Sequence, residues 1–283
     1  MAELIDGKKV AALLREDCRR RTDALKAKGI FPKLDVVIVG DDPASHQYVA
    51  SRAKDCEAVG MKSEVHSLPA ETEEKELTDL LDRLSNDKTV HGILLQMPLP
   101  KKMDSKAVVA HIAQIKDVDG LNINNIGALL SGGKDFMAPC TPSSIMQLIK
   151  STGVPIAGKN AVVVGRSNVV GRPAAMLLLK ENATVTICHS KTRDLAEHTK
   201  NADILVAAVG VPKLIKGDMV KQGAVVIDAG INRVNGKTVG DVDFEAAKEK
   251  AAFITPVPGG VGPVTRTILL QNTLTAAEKQ SDR

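Results

Sequence analysis

The stretch KNAVVVGRSNVVGRPAA, residues 159–175, decides the reading of the fold. Four apolar residues (161–164), three of them β-branched, run straight into Gly165, and Gly171 and Pro173 then open a helical segment. So short an apolar run, closed by glycine, reads as a strand buried on both faces. Strand, glycine turn and helix together place a phosphate at a helix N-terminus, on free backbone N–H groups and the positive end of the dipole. The spacing is not GxGxxG, because Ser167 stands where the second glycine would. Taken alone, the turn therefore admits an ordinary βα connection as well as a nucleotide site.

The same alternation extends in both directions. Downstream, TVTIC (184–188), DILVAA (203–208) and AVVIDA (224–229) read as further buried strands. Upstream, a helix over 8–26 leads into the strand LDVVIVG (34–40), and Pro43 and Ser45 open a helix running to about Val59. SEVHSL (63–68) is a second strand, 72–86 an amphipathic helix with Leu77, Leu80, Leu81 and Leu84 on one face, and VHGILLQ (90–96) a third strand. KDVDG (116–120) marks a change of register, a helix starts near Thr141, and 265–280 reads as a terminal helix. Strands alternating with helices predict an α/β protein with parallel sheets and right-handed crossovers. A chain of 283 residues is long for one such domain, so two lobes of roughly 120 to 150 residues are expected.

Composition narrows the classes. A net charge of +4 without a basic block or interleaved aromatics gives no support for a nucleic-acid partner. No apolar stretch approaches the ~18 residues of a membrane span, and the N-terminus lacks the apolar core of a signal peptide. Cys18, Cys56, Cys140 and Cys188 are scattered without CxxC spacing, which argues against a disulfide framework or thiolate metal site and for a reducing, cytoplasmic setting. Tyr48 is the only tyrosine, hence the only phenol available for chemistry.

The second strand of the nucleotide unit distinguishes between cofactors. A carboxylate about 20 residues on from the glycine turn holds the ribose 2′-hydroxyl of NAD. Here the strand ends Ile187-Cys188-His189-Ser190-Lys191-Thr192-Arg193, without an acid, and Arg166 projects from the first turn. A cationic, hydroxyl-rich pocket suits a 2′-phosphate and favours NADP. Arg166 taken singly also reads as a solvated loop residue.

In the first lobe, DDPASHQYVASRAKDC (41–56) sets Tyr48 and Arg52 one helical turn apart on one face. Gln96 ends the third strand at the carboxyl edge, where open α/β sheets bind ligands, and Asp119 lies in the KDVDG turn. Each has a plain structural reading as well: a half-buried aromatic, a strand-end amide, a turn former.

Together these segments resemble a known family. GDDPAS with YV, GILLQMPLP, KDVDG, PCTP, GRSNVVGRP, TVTICHSKT and TPVPGGVGPVT (255–265) are similar, in order, to the signature stretches of the bifunctional methylenetetrahydrofolate dehydrogenase/cyclohydrolases, from about residue 5 to 275. The resemblance implies a two-lobed α/β fold with a cleft between the lobes. A folate-binding catalytic domain would comprise 1–118 with the returning C-terminal helix, 264–283, and a Rossmann-like NADP-binding domain 119–263. Tyr48 would lie against the folate near its reacting carbon, Gln96 would orient the cationic residue beside it, and Asp119 would bind the pterin. Pro258, Gly259 and Gly260 would wall the substrate against nicotinamide, with Val257–Pro258 a candidate cis peptide. Arg166 and Ser190 would take the 2′-phosphate, and Gly165, Ser167, Val169, His189 and Ile231 would line the rest of the cofactor site. No metal is implied. Tetrahydrofolate derivatives and a second copy of the chain, in a homodimer, are the implied partners.

The sequence departs from the family at one chemical position. The family motif is Tyr-x-x-x-Lys, and its lysine carries the proton-handling role. Here that position is Arg52, which keeps its charge at all working pH values and makes a poor proton shuttle. Lys54 lies about 200° around the helix from Arg52 and points elsewhere. The expected consequence is a weakened cyclohydrolase step. Lesser departures are Asn122 and Ile123 for a usual His-Pro, and Ser144 for a usual Gly, which bear on loop shape. The alternatives are a dehydrogenase without cyclohydrolase activity and a non-catalytic folate- and NADP-binding protein. A short-chain-type oxidoreductase built on Tyr48 is excluded by order, since Tyr48 precedes the nucleotide unit.

Overall fold

A computed structural model describes residues 2–281, apart from the side chains of residues 43, 44, 47 and 48. In chain order it runs β1 (Glu3–Leu4), α1 (Gly7–Ala27), β2 (Lys33–Val39), α2 (Pro43–Ala58), β3 (Lys62–Leu68), α3 (Glu74–Asn86) and β4 (Gly92–Leu95). There follow α4 (Ser105–Val109), α5 (Ile123–Leu130), α6 (Cys140–Ser151), β5 (Asn160–Val164), α7 (Gly171–Lys180), β6 (Thr184–Cys188), α8 (Leu195–Thr199) and β7 (Ile204–Ala207). The last elements are β8 (Val225–Asp228), β9 (Asn232–Val234), β10 (Lys237–Val239), α9 (Phe244–Ala247), β11 (Phe253–Ile254) and α10 (Val261–Ser281). The chain divides into two compact units, residues 13–138 with 266–283 and residues 1–12 with 139–265.

The first unit is built on a three-stranded parallel sheet, β3-β2-β4. Its central strand is the LDVVIV run, whose residues 34–39 are all buried because they are flanked on both sides. The leucine stripe of α3 (Leu77, Leu80, Leu81, Leu84) packs against Val37, Val39, Ile93 and Leu95. Asp117 bridges Ile93 in the parallel sense, which sets the KDVDG turn beside β4. Gly92, just before the bridge, leaves room for this turn: a Cβ there would lie 2.6 Å from Val118 Cγ1.

That turn is pinned by the buried Asp117 carboxylate, which accepts from Asn122 N (2.8 Å), Leu121 N (3.2 Å) and Asn125 Nδ2 (2.8 Å). Burial pushes the Asp117 carboxyl up, while these donors pull it down. Asn122 caps α5 by accepting from Asn124 N at 2.8 Å and donates to Ile112 O at 2.9 Å, and Ile123 beside it faces solvent. A substituted cap thus preserves the loop at the departure. Residues 266–281 join this unit through Asn272, which donates to Val118 O (2.8 Å) and Ala138 O (3.1 Å), and through Gln280, which donates to His91 O (2.9 Å).

The second unit is a six-stranded, wholly parallel sheet in the order β1-β11-β8-β7-β5-β6. The chain steps from β5 outward to β6, then crosses back past β5 to β7, so the strand order reverses beside β5. Its core is aliphatic, centred on Val162, Val164, Leu205, Val226, Ile215 and Ile254. Ser144 is fully buried in α6 and donates to Cys140 O at 2.7 Å, which satisfies the hydroxyl introduced there.

The strand runs read from the sequence all appear, and four short strands beyond them, β1, β9, β10 and β11, do too. β1 pairs with β11 (Glu3↔Phe253, Leu4↔Ile254), which is why residues 1–12 group with the six-stranded sheet and not with 13–138. β9 and β10 form a hairpin at Asn235–Gly236, both with positive φ (50° and 74°), as a type I′ turn requires. The boundary falls at 138/139 where 118/119 is expected from sequence, because the Asp117–Asn125 network and Asn272 hold 119–138 to the first unit.

Candidate active site

In the first unit two of the candidate residues, Arg52 and Gln96, meet at the carboxyl edge of the sheet. Asp42 starts α2 by accepting from Ser45 N at 2.8 Å and Ser45 Oγ at 2.7 Å. The helix runs unbroken through Arg52, so Arg52 and Lys54 stay on different faces, and Lys54 is exposed. Tyr48 lies on α2 one turn before Arg52, and its side chain falls outside the described residues. Gln96 leaves the end of β4, held by its own N–H to Val37 O at 2.8 Å. Its side-chain oxygen accepts from Arg52 Nη1, and its amide nitrogen donates to Met97 O at 2.6 Å. The amide is therefore fixed at both ends, with its oxygen committed to the guanidinium. Asp119, half-buried, lies two residues beyond the Asp117–Ile93 bridge, in the turn closed by Gly120 N to Asp117 O at 3.1 Å.

One turn further along α2, the buried Asp55 carboxylate accepts from Arg266 Nε at 2.7 Å, and Arg266 also reaches Ser51 O at 3.3 Å. This pair ties α2 to α10 and holds the face that carries Arg52. Sequence reading missed it because the partners are over two hundred residues apart.

In the second unit the candidates follow the carboxyl ends of β5, β6, β8 and β11 in one parallel sheet. Gly165 follows β5 with φ +131°, and a Cβ there would lie 2.2 Å from Ala208 O. A Cβ on Gly171 would lie 2.2 Å from Gly165 O, so the two glycines let the turn fold tightly onto the start of α7. Ser167 replaces the second glycine by capping: its Oγ accepts from Val170 N (3.1 Å) and Gly171 N (3.3 Å). Arg166 and Val169 are exposed on the same turn.

Past β6, His189 N donates to Thr192 Oγ1 at 2.8 Å, and Lys191 N donates to His189 Nδ1 at 3.1 Å. That contact makes Nδ1 the acceptor and leaves any imidazole hydrogen on Nε2. Ser190 beside it is exposed. Past β8, Ile231 is 68% exposed, and past β7, Val211 is 46% exposed. Val211 was not singled out from sequence, although an apolar residue just after a strand-closing glycine is the available signal. Pro258 is exposed, Gly259 has φ +112°, and Val257–Pro258 is cis as expected; Met97–Pro98 is also cis. A Cβ on Gly7 would lie 1.8 Å from Gly260 O, so the start of α1 closes tightly on this turn.

Two other features are accounted for without a ligand. Asp35, Glu64 and His66 have metal-ligand spacing, but the Lys33 ammonium already pairs with Asp35 (3.2 Å) and Glu64 (2.7 Å). A recess of about 250 Å³ beside Gln114, Phe136 and Lys279 contains none of the candidate residues. Among the described residues no helix is long and apolar enough to cross a membrane.

Comparison with known proteins bears on both units. The catalytic-domain model of the tetrahydrofolate dehydrogenase/cyclohydrolases matches residues 5–119, and the NAD(P)-binding-domain model of the same family matches 139–281. The bifunctional protein FolD of Moorella thermoacetica is 56% identical over 279 residues, spanning 98% of this chain and 99% of the relative. The bifunctional FolD methylenetetrahydrofolate dehydrogenase/cyclohydrolase of Campylobacter jejuni, a crystal structure, aligns at a TM-score of 0.97 with 46% identity over 99% of each chain. The Trypanosoma brucei enzyme, solved with NADP cofactor and inhibitor, aligns at 0.94 with 39% identity, over 100% of this chain and 99% of that one.

Proposed function

The chain belongs to the tetrahydrofolate dehydrogenase/cyclohydrolase family, and from that premise we propose that it oxidises 5,10-methylenetetrahydrofolate with NADP⁺ and then hydrolyses the methenyl product to 10-formyltetrahydrofolate. The observation that carries the reading is the Arg52–Gln96 contact at the carboxyl edge of the first sheet, because it sets a fixed positive charge beside the predicted folate site. In this reading the unit of 13–138 and 266–281 holds folate, and the unit of 139–265 holds NADP. A homodimer and a cytoplasmic location belong to the same reading.

The residues of the second unit fit the cofactor. Gly165 and Gly171 let the backbone close on a phosphate, Val169, Val211 and Ile231 offer apolar faces to flat rings, and no acid follows β6 before Asp194. Arg166 and Ser190 would hold the 2′-phosphate, and His189 Nε2–H would supply a further donor. When bound, NADP⁺ supplies the hydride acceptor. The protein's part in that step is to align the folate methylene carbon and to exclude water, the first of which is assigned to Tyr48.

The hydrolytic step moves protons. Water adds to the methenyl carbon, and its oxygen loses both protons as the formyl carbonyl forms: one is released, and the other is gained by N5 as the C–N bond to N5 breaks. A group that both takes and gives a proton speeds such a step by about 10²–10⁴-fold. Arg52 holds charge against the folate and fixes Gln96, but stays protonated throughout, so the hydrolytic step is slow relative to the oxidation.

Cofactor choice gives the first test. With methylenetetrahydrofolate as substrate, kcat/KM for NADP⁺ is expected to exceed that for NAD⁺ by about 10²-fold, from charge-assisted bonds to the 2′-phosphate. Equal values would contradict the roles of Arg166 and Ser190. Gln96→Leu tests the folate side: it leaves the guanidinium without its amide acceptor and should lower kcat for the oxidation by about 10-fold or more while thermal stability changes by less than about 1 kcal/mol. An unaltered kcat would remove Gln96 from the site.

A further inference from the structure

The second unit buries two aspartates that none of these roles uses. Asp228 ends β8 and is 3% exposed; Asp241 lies just past β10 and is 0% exposed. Among the described residues neither is in an ion pair, and each carboxylate is held by neutral N–H donors. Asp228 Oδ1 accepts from Gly230 N (2.9 Å) and Asp241 N (3.0 Å), and its Oδ2 from Val242 N (2.9 Å). Asp241 Oδ2 accepts from Val209 N (2.6 Å) and Gly210 N (3.0 Å), and its Oδ1 from Asn232 Nδ2 (2.9 Å). Both carboxylates are wedged against glycine backbone. A Cβ on Gly240 would lie 1.9 Å from Asp228 Oδ2, and one on Gly230 would lie 2.2 Å from Asp241 Oδ1.

Burying two like charges side by side is costly, and an aliphatic core does not need it. Burial pushes the Asp228 carboxyl up to about 6, against the pull of its three backbone donors. What the pair achieves is to tie together the segments that leave β7 (Val209–Gly210) and β8 (Gly230). These segments lead directly into the exposed Val211 and Ile231. In the strand order β8-β7-β5-β6, they lie on the far side of β5 from Ser190, with the glycine turn between. A dinucleotide crossing the edge at the point of strand reversal, with its 2′-phosphate near β6, extends its other half over β7 and β8.

We propose that Asp228 and Asp241 are positioning residues that fix the tips of β7 and β8 as the seat of the nicotinamide half of NADP. The proposal rests on the NADP reading above. Their neutral replacements should behave unequally. Both oxygens of Asp228 face N–H donors, so Asp228→Asn sets an amide N–H₂ against a donor although it is isosteric and removes the charge. In Asp241 only one oxygen faces backbone, and Asn232 can turn its amide to meet the new one, giving up only its long 3.4 Å bond to Val239 O, so Asp241→Asn is better accommodated than Asp241→Ala.

The test measures calorimetric Kd values of the full chain for NADP⁺ and for adenosine 2′,5′-bisphosphate, which carries the 2′-phosphate but no nicotinamide. Asp228→Asn and Asp241→Ala are expected to weaken NADP⁺ by about 10-fold or more and the bisphosphate by less than about 2-fold, with Asp241→Asn close to the unsubstituted protein for both ligands. Equal weakening of both ligands, or of neither, overturns the proposal. So does a bisphosphate that binds the unsubstituted protein as tightly as NADP⁺. If Asp228→Asn does not fold, the Asp241 pair decides, and indistinguishable Ala and Asn variants overturn it. Failure of the unsubstituted protein to bind the bisphosphate instead refutes the NADP reading itself.

Discussion

Arg52→Lys is expected to raise the rate of methenyltetrahydrofolate hydrolysis by about 10²-fold, with a much smaller change in methylenetetrahydrofolate oxidation. The two side chains differ chiefly in whether they can lose a proton. A lysine in a half-buried site can be shifted toward neutrality, whereas a guanidinium cannot. Lysine also keeps the positive charge and a donor for Gln96, so the geometry that Arg52 now supports is retained. No neighbouring group substitutes along α2: the helix is continuous from Pro43 to Ala58, and Lys54 is on an exposed face. Single-turnover decay of the methenyl chromophore measures the effect. A rate within about 2-fold of the unsubstituted protein would show that proton transfer is carried by another group or by solvent.

The second large effect concerns the glycine turn. Gly171→Ala places a methyl group 2.2 Å from Gly165 O and 2.9 Å from Arg166 N, and neither backbone atom can swing away as a flexible side chain would. The turn from 165 to 171 must open, which moves the amides at the start of α7 and the Arg166 side chain. NADP⁺ affinity is expected to fall by about 10²-fold, with a stability loss of roughly 1–3 kcal/mol from overpacking. Gly127→Ala is the matched control. Gly127 sits exposed in α5 with no atom within 4 Å of its Cβ position, and the exchange should stabilise by about 0.5–1 kcal/mol without touching cofactor binding. Titration of both variants with NADP⁺, alongside thermal melts, separates a local clash from a general intolerance of alanine.

How far these features could be read from sequence depended on whether their causes were local. The runs LDVVIV and AVVV announce buried parallel strands because every side chain in them is apolar. The leucine stripe of α3 announces its buried face by spacing alone. β1 escapes such reading: two residues carry no period, and its pairing partner lies two hundred and fifty positions away. The β9–β10 hairpin did leave a local mark, the Asn235–Gly236 pair, which names a type I′ turn once it is weighed. The boundary at 138/139 had no local mark, because what binds residues 119–138 to the first sheet is Asp117, a buried carboxylate whose donors are backbone groups and Asn125.

The candidate residues divide in the same way. Gln96 and Gly165 were legible because a strand end at the carboxyl edge is a privileged place in an open α/β sheet. Ser167 was legible as a departure from GxGxxG, but its compensation, a hydroxyl accepting from two amides of the helix start, appears only in three dimensions. In sequence, Asp228 falls inside the AVVIDA run and Asp241 carries no mark of its own. Their burial and mutual contact follow from how the segment just past β10 folds back on the end of β8. The same holds for Arg266, whose link to Asp55 steadies the helix bearing Arg52.

Oxidation that survives beside hydrolysis limited by one residue is what defines the proposed enzyme. Following NADPH formation and methenyl accumulation together, on a single preparation given methylenetetrahydrofolate and NADP⁺, tests it most directly. Stoichiometric NADPH with a transient build-up of the methenyl species is expected, since its decay lags its formation. NADPH formation without any methenyl build-up, or no NADPH at all, would contradict it.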